Sequence, residues 1–260
     1  MSDRPPRFDP DTVRALWDEA AGPYTMGQAS GIDHYRYDFF GPAQVAICGD
    51  VRNLKLIDVG CGSGYFAREM ARGGARVTAV DISPRMIALA RSEESASPLG
   101  IEYQIADAVE LGDLHSEGSF DLATSCVALQ DMPHVDRVFT AVRRLLRPNG
   151  RFVASITHPC TDTPFRQWER DDLRRKRWLC IDRYFDREVL EFTWLRWPKE
   201  FTTRALHAPL EDWFSWILQA GFAVRGFHEP RPSEDTVRRQ PDLADATRVP
   251  YYVVFDLGAP

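Results

Sequence analysis

Glycines and acids set at strand ends are the residues best placed to do chemistry in this chain. Residues 55–64 read KLIDVGCGSG, an apolar run that enters a turn with glycine at Gly60, Gly62 and Gly64. Without a Cβ, glycine takes unusual φ/ψ values and lets a ligand lie directly against backbone. A second apolar run, RVTAVD, ends at Asp81, and a carboxylate there suits the paired hydroxyls of a ribose. Together these describe a nucleotide-type site. Tyr65 stands where the dinucleotide fingerprint GxGxxG needs its third glycine, so the helix packing and pyrophosphate seating of an NAD or FAD site are not provided.

Proton-handling candidates are fewer. His158 follows an apolar strand, at the carboxyl edge of a sheet where ligands bind, and imidazole titrates near neutrality, which suits a general base. The plainer alternative is that His158-Pro159 only turns the chain. Asp131 either orients an amine or hydroxyl or N-caps the helix entered through Pro133. His207 and Trp194 lie in a long connection and are candidates for touching a substrate. His34, His115, His134 and His228 show no partner pattern.

The elements that must position these groups alternate as βαβα, the rhythm of a parallel sheet in an α/β fold. Strands are predicted near 55–60, 76–81, 102–107, 120–126 and 151–157, with two more in AVRGFHE and YYVVFDL. The clearest helix lies between His134 and Arg147, where Val135, Val138, Phe139, Val142, Leu145 and Leu146 share one face. Ser83 followed by Pro84 reads as an N-cap with proline in the first turn. The connection from Cys160 to Ala208 runs to about 50 residues where an α/β loop is usually under about 10, a length typical of a lid. Within it, the alternation around Phe192 and Trp194 predicts an antiparallel hairpin. Its tryptophans form either an apolar substrate wall or the lid's own core. The basic run Arg174-Arg175-Lys176-Arg177 is flanked by Glu169, Asp171, Asp172 and Asp182, and is read as a solvated, self-paired helix face rather than a clamp for an acidic substrate.

Asp58-Val59-Gly60-Cys61-Gly62-Ser63-Gly64, with Asp81 beyond it, resembles the first motif of class I S-adenosylmethionine-dependent methyltransferases. Ile82 to Met86 resembles the turn beside the adenosine, Asp107-Ala108 falls on the adenine-contacting position, and FDLATSCVALQDMP resembles the fourth motif. LLRPNGRFVASITHP and Ala220-Gly221-Phe222 continue the likeness. The resemblance implies a Rossmann-like sheet of order 3-2-1-4-5-7-6 with strand 7 antiparallel. It also implies S-adenosyl-L-methionine as cofactor, S-adenosyl-L-homocysteine as product, and Asp58, Gly60, Gly62, Gly64, Asp81, Ile82, Met86, Asp107, Ala108 and Cys126 as cofactor-binding residues. The segment 11–48 resembles the family's leading helix, which folds over the cofactor, and places Tyr24 near the methionine moiety as a third catalytic candidate. Gln130-Asp131 stands where many members carry a His-His pair, a departure that bears on where any base comes from.

The 260 residues, 44% hydrophobic and 27% charged, suit a single domain spanning 1–260 with 160–208 as its lid. A formal charge of −6 opposes nonspecific nucleic-acid binding, and the [DN]PP[YF] signature of base-modifying amino-methyltransferases is absent. The polar, proline-rich start has no apolar leader, and no run of about 18 apolar residues spans a bilayer. Five scattered cysteines, without any CxxC pair, suggest neither zinc nor disulfides. The expectation is a cytoplasmic monomer or homodimer without bound metal, acting on a small aromatic or heteroaromatic molecule at O or N. C-methylation, a non-methylating cyclase or decarboxylase, and a noncatalytic binding module are the alternatives.

Overall fold

Alternating burial along the strands explains how the sheet is covered on both faces. Phe152, Ala154 and Ile156 join one core cluster while Val153 joins the other, and Val253, Phe255 and Leu257 alternate in the same way with Val254. The computed structural model describes residues 6–260, so the first five residues of the proline-rich start lie outside the described part.

Five strands, β1 (Lys55–Val59), β2 (Arg76–Asp81), β3 (Glu102–Ile105), β4 (Phe120–Cys126) and β5 (Leu146–Thr157), run parallel. The connection after β5 holds two antiparallel hairpins, β6 (Phe165–Arg170) with β7 (Lys176–Asp182) and β8 (Glu188–Thr193) with β9 (Thr202–His207). β10 (Ala223–His228) and β11 (Tyr252–Gly258) complete the sheet, with β11 antiparallel to both of its neighbours. The order is β3-β2-β1-β4-β5-β11-β10, which is the expected 3-2-1-4-5-7-6.

Eight α-helices are described: α1 (Pro10–Ala29), α2 (Gly41–Cys48), α3 (Tyr65–Arg72), α4 (Pro84–Ala96), α5 (Leu111–Leu114), α6 (Val135–Leu145), α7 (Leu210–Gln219) and α8 (Glu234–Arg239). α4 starts as predicted, with the Ser83 hydroxyl accepting the Met86 N–H at 3.1 Å. α6 buries the predicted face but ends at Leu145, because Leu146 already pairs with Phe120 in the sheet. α7 closes through Gly221 at φ +83, with Gly221 N–H donating to Leu218 O and Phe222 N–H to Ile217 O.

The basic run does not form a helix face. Asp171 accepts the N–H groups of Leu173 and Arg175 at 3.0 and 2.8 Å, closing a turn in which Arg174 takes φ 60, and Lys176 opens β7. A short polar side chain that bonds backbone two and four residues on offers the chain a turn in place of a helix. Lys176 then reaches the buried Asp245, which also accepts the Tyr251 hydroxyl at 2.8 Å. This ties the first hairpin to the segment before β11.

Candidate functional site

The carboxyl ends of β1 to β4 border a cleft of about 900 Å³. Its floor is the turn after β1, where Gly60 and Gly62 take φ +73 and +54. A Cβ at Gly60 would lie 2.5 Å from Met132 Cε and 2.7 Å from Ala128 Cβ, whereas a Cβ at Gly62 would meet nothing within 4 Å. Gly60 therefore keeps the backbone close to the β4 turn, and Gly62 leaves space above the loop. Asp81, at the end of β2, knits the floor together: Oδ2 accepts the Gly62 N–H at 2.8 Å and Oδ1 the Ser83 N–H at 2.9 Å. Ile82 and Met86 continue the wall, as do Ala108 and Asp107, whose Oδ1 accepts the Val109 N–H at 3.0 Å.

α1 forms the roof. Val13, Trp17, Tyr24 and Gln28 all line the cleft, and their spacing puts them on one helical face. Gln28 Oε1 accepts from the Ser63 hydroxyl at 3.0 Å, and Asp18 Oδ1 from the Ser83 hydroxyl at 2.6 Å. Both ligand-facing turns are thus pinned to the amino-terminal helix. Behind Tyr24 the hairpin β8–β9 supplies aromatic backing: Trp197 stacks on the Tyr24 ring at 5.0 Å, and Trp194 stacks on Phe201 at 5.4 Å.

Arg36, on the π-helical turn Tyr35–Phe40's second residue, lines the same cleft. Its Nη2 donates to the Tyr24 hydroxyl at 2.5 Å and its Nε to Asp33 at 2.9 Å. Sequence reasoning missed it, because a single arginine between aromatics carries no periodic or motif signal. The α1 face did carry one, in the spacing of Val13, Trp17, Tyr24 and Gln28.

Three cleft carboxyls sit above their ordinary range. Burial pushes Asp58 up to about 7, helped by the nearby Asp81 charge, against a hydrogen bond from Thr124 at 2.8 Å. Burial also raises Asp81, and raises Asp131 well above the usual carboxylate value with the charge of Asp162 adding to it. Asp58 Oδ2 is buried without a partner. An acid-lined, poorly solvated cleft of this kind is complementary to a cation. The glycine floor, the orphan carboxylate oxygen and the Arg36 guanidinium fit a ligand carrying a cationic centre, an amine and a carboxylate.

The structure brings Tyr24, Asp58, Gly60, Gly62, Asp81, Ile82, Met86, Asp107, Ala108, Cys126 and Asp131 to this one cleft. Asp131 is not a helix cap, since α6 starts after His134. Four other residues singled out from the sequence lie elsewhere. Gly64 is the left-handed residue that starts α3, and a Cβ there would sit 2.4 Å from the Tyr103 hydroxyl. His158 is 2% exposed and does not line the cleft; Nε2 approaches Glu229 at 3.1 Å and Nδ1 accepts the Cys160 N–H at 3.2 Å. Burial lowers its pKa, with Glu229 opposing. Trp194 donates to Thr203 at 2.9 Å within the hairpin. His207 faces the carbonyls of Asp162 and Tyr184, at 3.0 Å each.

A family profile described as a methyltransferase domain matches residues 57–154. An S-adenosylmethionine-dependent methyltransferase from Mesorhizobium loti, solved as a crystal structure, is 31% identical; the match covers 84% of this chain and 96% of that one, with a TM-score of 0.69. A ubiquinone biosynthesis O-methyltransferase from Xanthomonas oryzae pv. oryzae is 34% identical over 106 residues, covering 41% of this chain and 44% of that relative's length. The 1,6-didemethyltoxoflavin-N1-methyltransferase of Burkholderia thailandensis, solved with S-adenosylhomocysteine, shares the fold at 16% identity and a TM-score of 0.59, over 99% of this chain and 92% of that one.

Proposed function

Because the chain belongs to the S-adenosylmethionine-dependent methyltransferase family, we propose that it methylates a small aromatic or heteroaromatic molecule on oxygen or nitrogen. Its cofactor is S-adenosylmethionine. When bound, that cofactor supplies a methyl carbon made electrophilic by a sulfonium, so the protein's work is alignment, water exclusion and proton removal.

In this reading Asp81 accepts the ribose hydroxyls, Asp107 and Ala108 flank the adenine, and Asp58 takes the methionine ammonium. Arg36 holds the methionine carboxylate, with Tyr24 fixing the guanidinium in place. Asp131 faces the acceptor and takes its proton; a carboxyl raised by burial is a stronger base than one in water. α1 and the hairpin β8–β9 keep solvent from the reacting atoms. The observation that carries the reading is the convergence of the glycine turn, Asp58, Asp81 and Asp131 on one acid-lined cleft.

Two measurements test it. Calorimetry should show saturable S-adenosylhomocysteine binding that Asp81→Ala weakens by about tenfold or more, since charge-assisted hydrogen bonds contribute roughly 1.5–3 kcal/mol. Cofactor labelled in its methyl group, incubated with a panel of phenols and heteroaromatic amines, should transfer label as S-adenosylhomocysteine appears in step. Binding without transfer to any of that class would remove the acceptor assignment and leave the cofactor assignment standing.

A further inference from the structure

The residue directly after β4 is strained. Val127 takes φ 52, in the left-handed region that a β-branched side chain rarely enters. Of the non-glycine residues described with positive φ, it alone is β-branched and it alone lines the large cleft. Such strain persists only where the surroundings over-determine the backbone, and it gathers at sites with a function.

Both polar groups of the Val127 backbone are held. The N–H donates to Ser155 O at 3.0 Å and to Ser155 Oγ at 3.1 Å, and the carbonyl accepts from Gln130 Nε2 at 3.0 Å. The Ser155 hydroxyl donates in turn to Gln44 Oε1 at 2.6 Å. Gln44 Nε2 then donates to Ser125 O at 3.0 Å and to Val153 O at 3.1 Å. Reversing that amide would set its oxygen against two carbonyls, so its orientation is fixed. Ser155 and Gln44 are fully buried, where a satisfied polar network holds one geometry and a broken one is costly. Ser155 belongs to β5 and Gln44 to α2, so the clamp on Val127 is assembled from segments far apart in the chain.

The clamp sets the course of the chain along the cleft. Cys126, Val127 and Ala128 line it, and the single turn Leu129–Asp131 follows at once. Ala128 and Met132 lean on the floor at Gly60, where an added Cβ would come within 2.7 and 2.5 Å of them. A relaxed φ at Val127 would swing this turn out of its seat on Gly60 and carry Asp131 with it.

We propose that Ser155 and Gln44 are positioning residues: they hold Val127 in its left-handed conformation and so keep the β4 turn seated beside the cofactor. Neither lines the cleft. The proposal uses the cofactor assignment and is independent of the methyl acceptor.

Glycine enters the left-handed region freely and alanine does not, so position 127 reports whether the clamp acts through the backbone. Calorimetry gives the S-adenosylhomocysteine affinity lost on Ser155→Ala in three backgrounds: native Val127, Val127→Ala and Val127→Gly. With valine or alanine at 127, losing the hydroxyl should weaken binding by about tenfold; with glycine, by less than about twofold. A hydroxyl with a structural role alone would lower the melting temperature and leave the three ratios equal. Thermal melts on each sample establish that it is folded. If Ser155→Ala fails to fold, Ser155→Cys, which is close in volume and offers only a weak sulfur donor, enters the same three backgrounds. Unchanged affinity on losing the hydroxyl, or a loss with glycine as large as with valine, overturns the proposal. So does rescue by alanine equal to that by glycine, which would place the effect in the Val127 side chain. Failure of the native protein to bind S-adenosylhomocysteine is seen before any variant is made, and would overturn the cofactor assignment instead.

Discussion

The guanidinium of Arg36 donates to the phenol oxygen of Tyr24 at 2.5 Å, and this bond joins the turn after α1 to the roof of the cleft. A guanidinium offers five donors in a fixed fork; those not spent on Tyr24 and Asp33 suit a carboxylate. Arg36→Lys keeps the charge and loses the fork, so S-adenosylhomocysteine affinity should fall by about tenfold, and Tyr24→Phe should cost less. Calorimetry on the two variants decides; wild-type affinity in Arg36→Lys would take Arg36 out of the site.

Asp58 sets a pH dependence whose sign follows from its position. Burial brings its carboxyl to about 7, so below that value the ligand-free protein holds a proton where the cofactor's ammonium must pair. Proton and ammonium then compete. Affinity should be flat above 7 and weaken as pH falls through it, approaching about tenfold per unit. Titrations from one unit above that value to one below should show Asp58→Asn with a much shallower slope; an unchanged slope would move the titrating group elsewhere.

His158→Ala should act on stability rather than turnover. The ring is buried beside Glu229 and holds the half-buried Cys160 N–H, so its loss empties a packed site and leaves that donor without its partner, at a cost of about 1–3 kcal/mol. Thermal melts and steady-state kinetics on the same sample separate the roles. A fall in kcat of about 10² or more with an unchanged melting temperature would restore His158 as a general base.

Gly27→Ala tests the docking of the hairpin on α1. Alanine favours a helix over glycine by about 1 kcal/mol, but here a Cβ would lie 1.8 Å from Trp197 Cε3. Displacing that ring from the Tyr24 stack should cost about 1–3 kcal/mol, with a change in tryptophan fluorescence. A stabilised variant would mean that Trp197 does not sit against α1 in solution.

Much of this architecture could be read along the chain because it is built from local signals. The strand β1, its glycine turn and Asp81 are recognised from residue type and spacing, since a turn with φ > 0 and close approach admits little but glycine. The amphipathic face of α6 and the Ser83 cap are equally local. The hairpin β6–β7 was not legible: its residues are exposed on both faces, so the alternation that reveals a strand is missing, and the charges imitate a helix surface.

What only the tertiary structure decided is which side chains share a cavity. His158 and Asp131 each follow a parallel strand at the same edge of the sheet, and nothing in their neighbours along the chain separates them. The return of the chain through β10 and β11 does: Glu229 and the Tyr251 carbonyl, which accepts the His158 N–H at 2.9 Å, enclose His158. Asp131, between β4 and α6, stays open to the cleft. Arg36 enters the site for the same reason. A burial environment is assembled by elements far apart in sequence, and residue type and spacing report only on the segment that carries them.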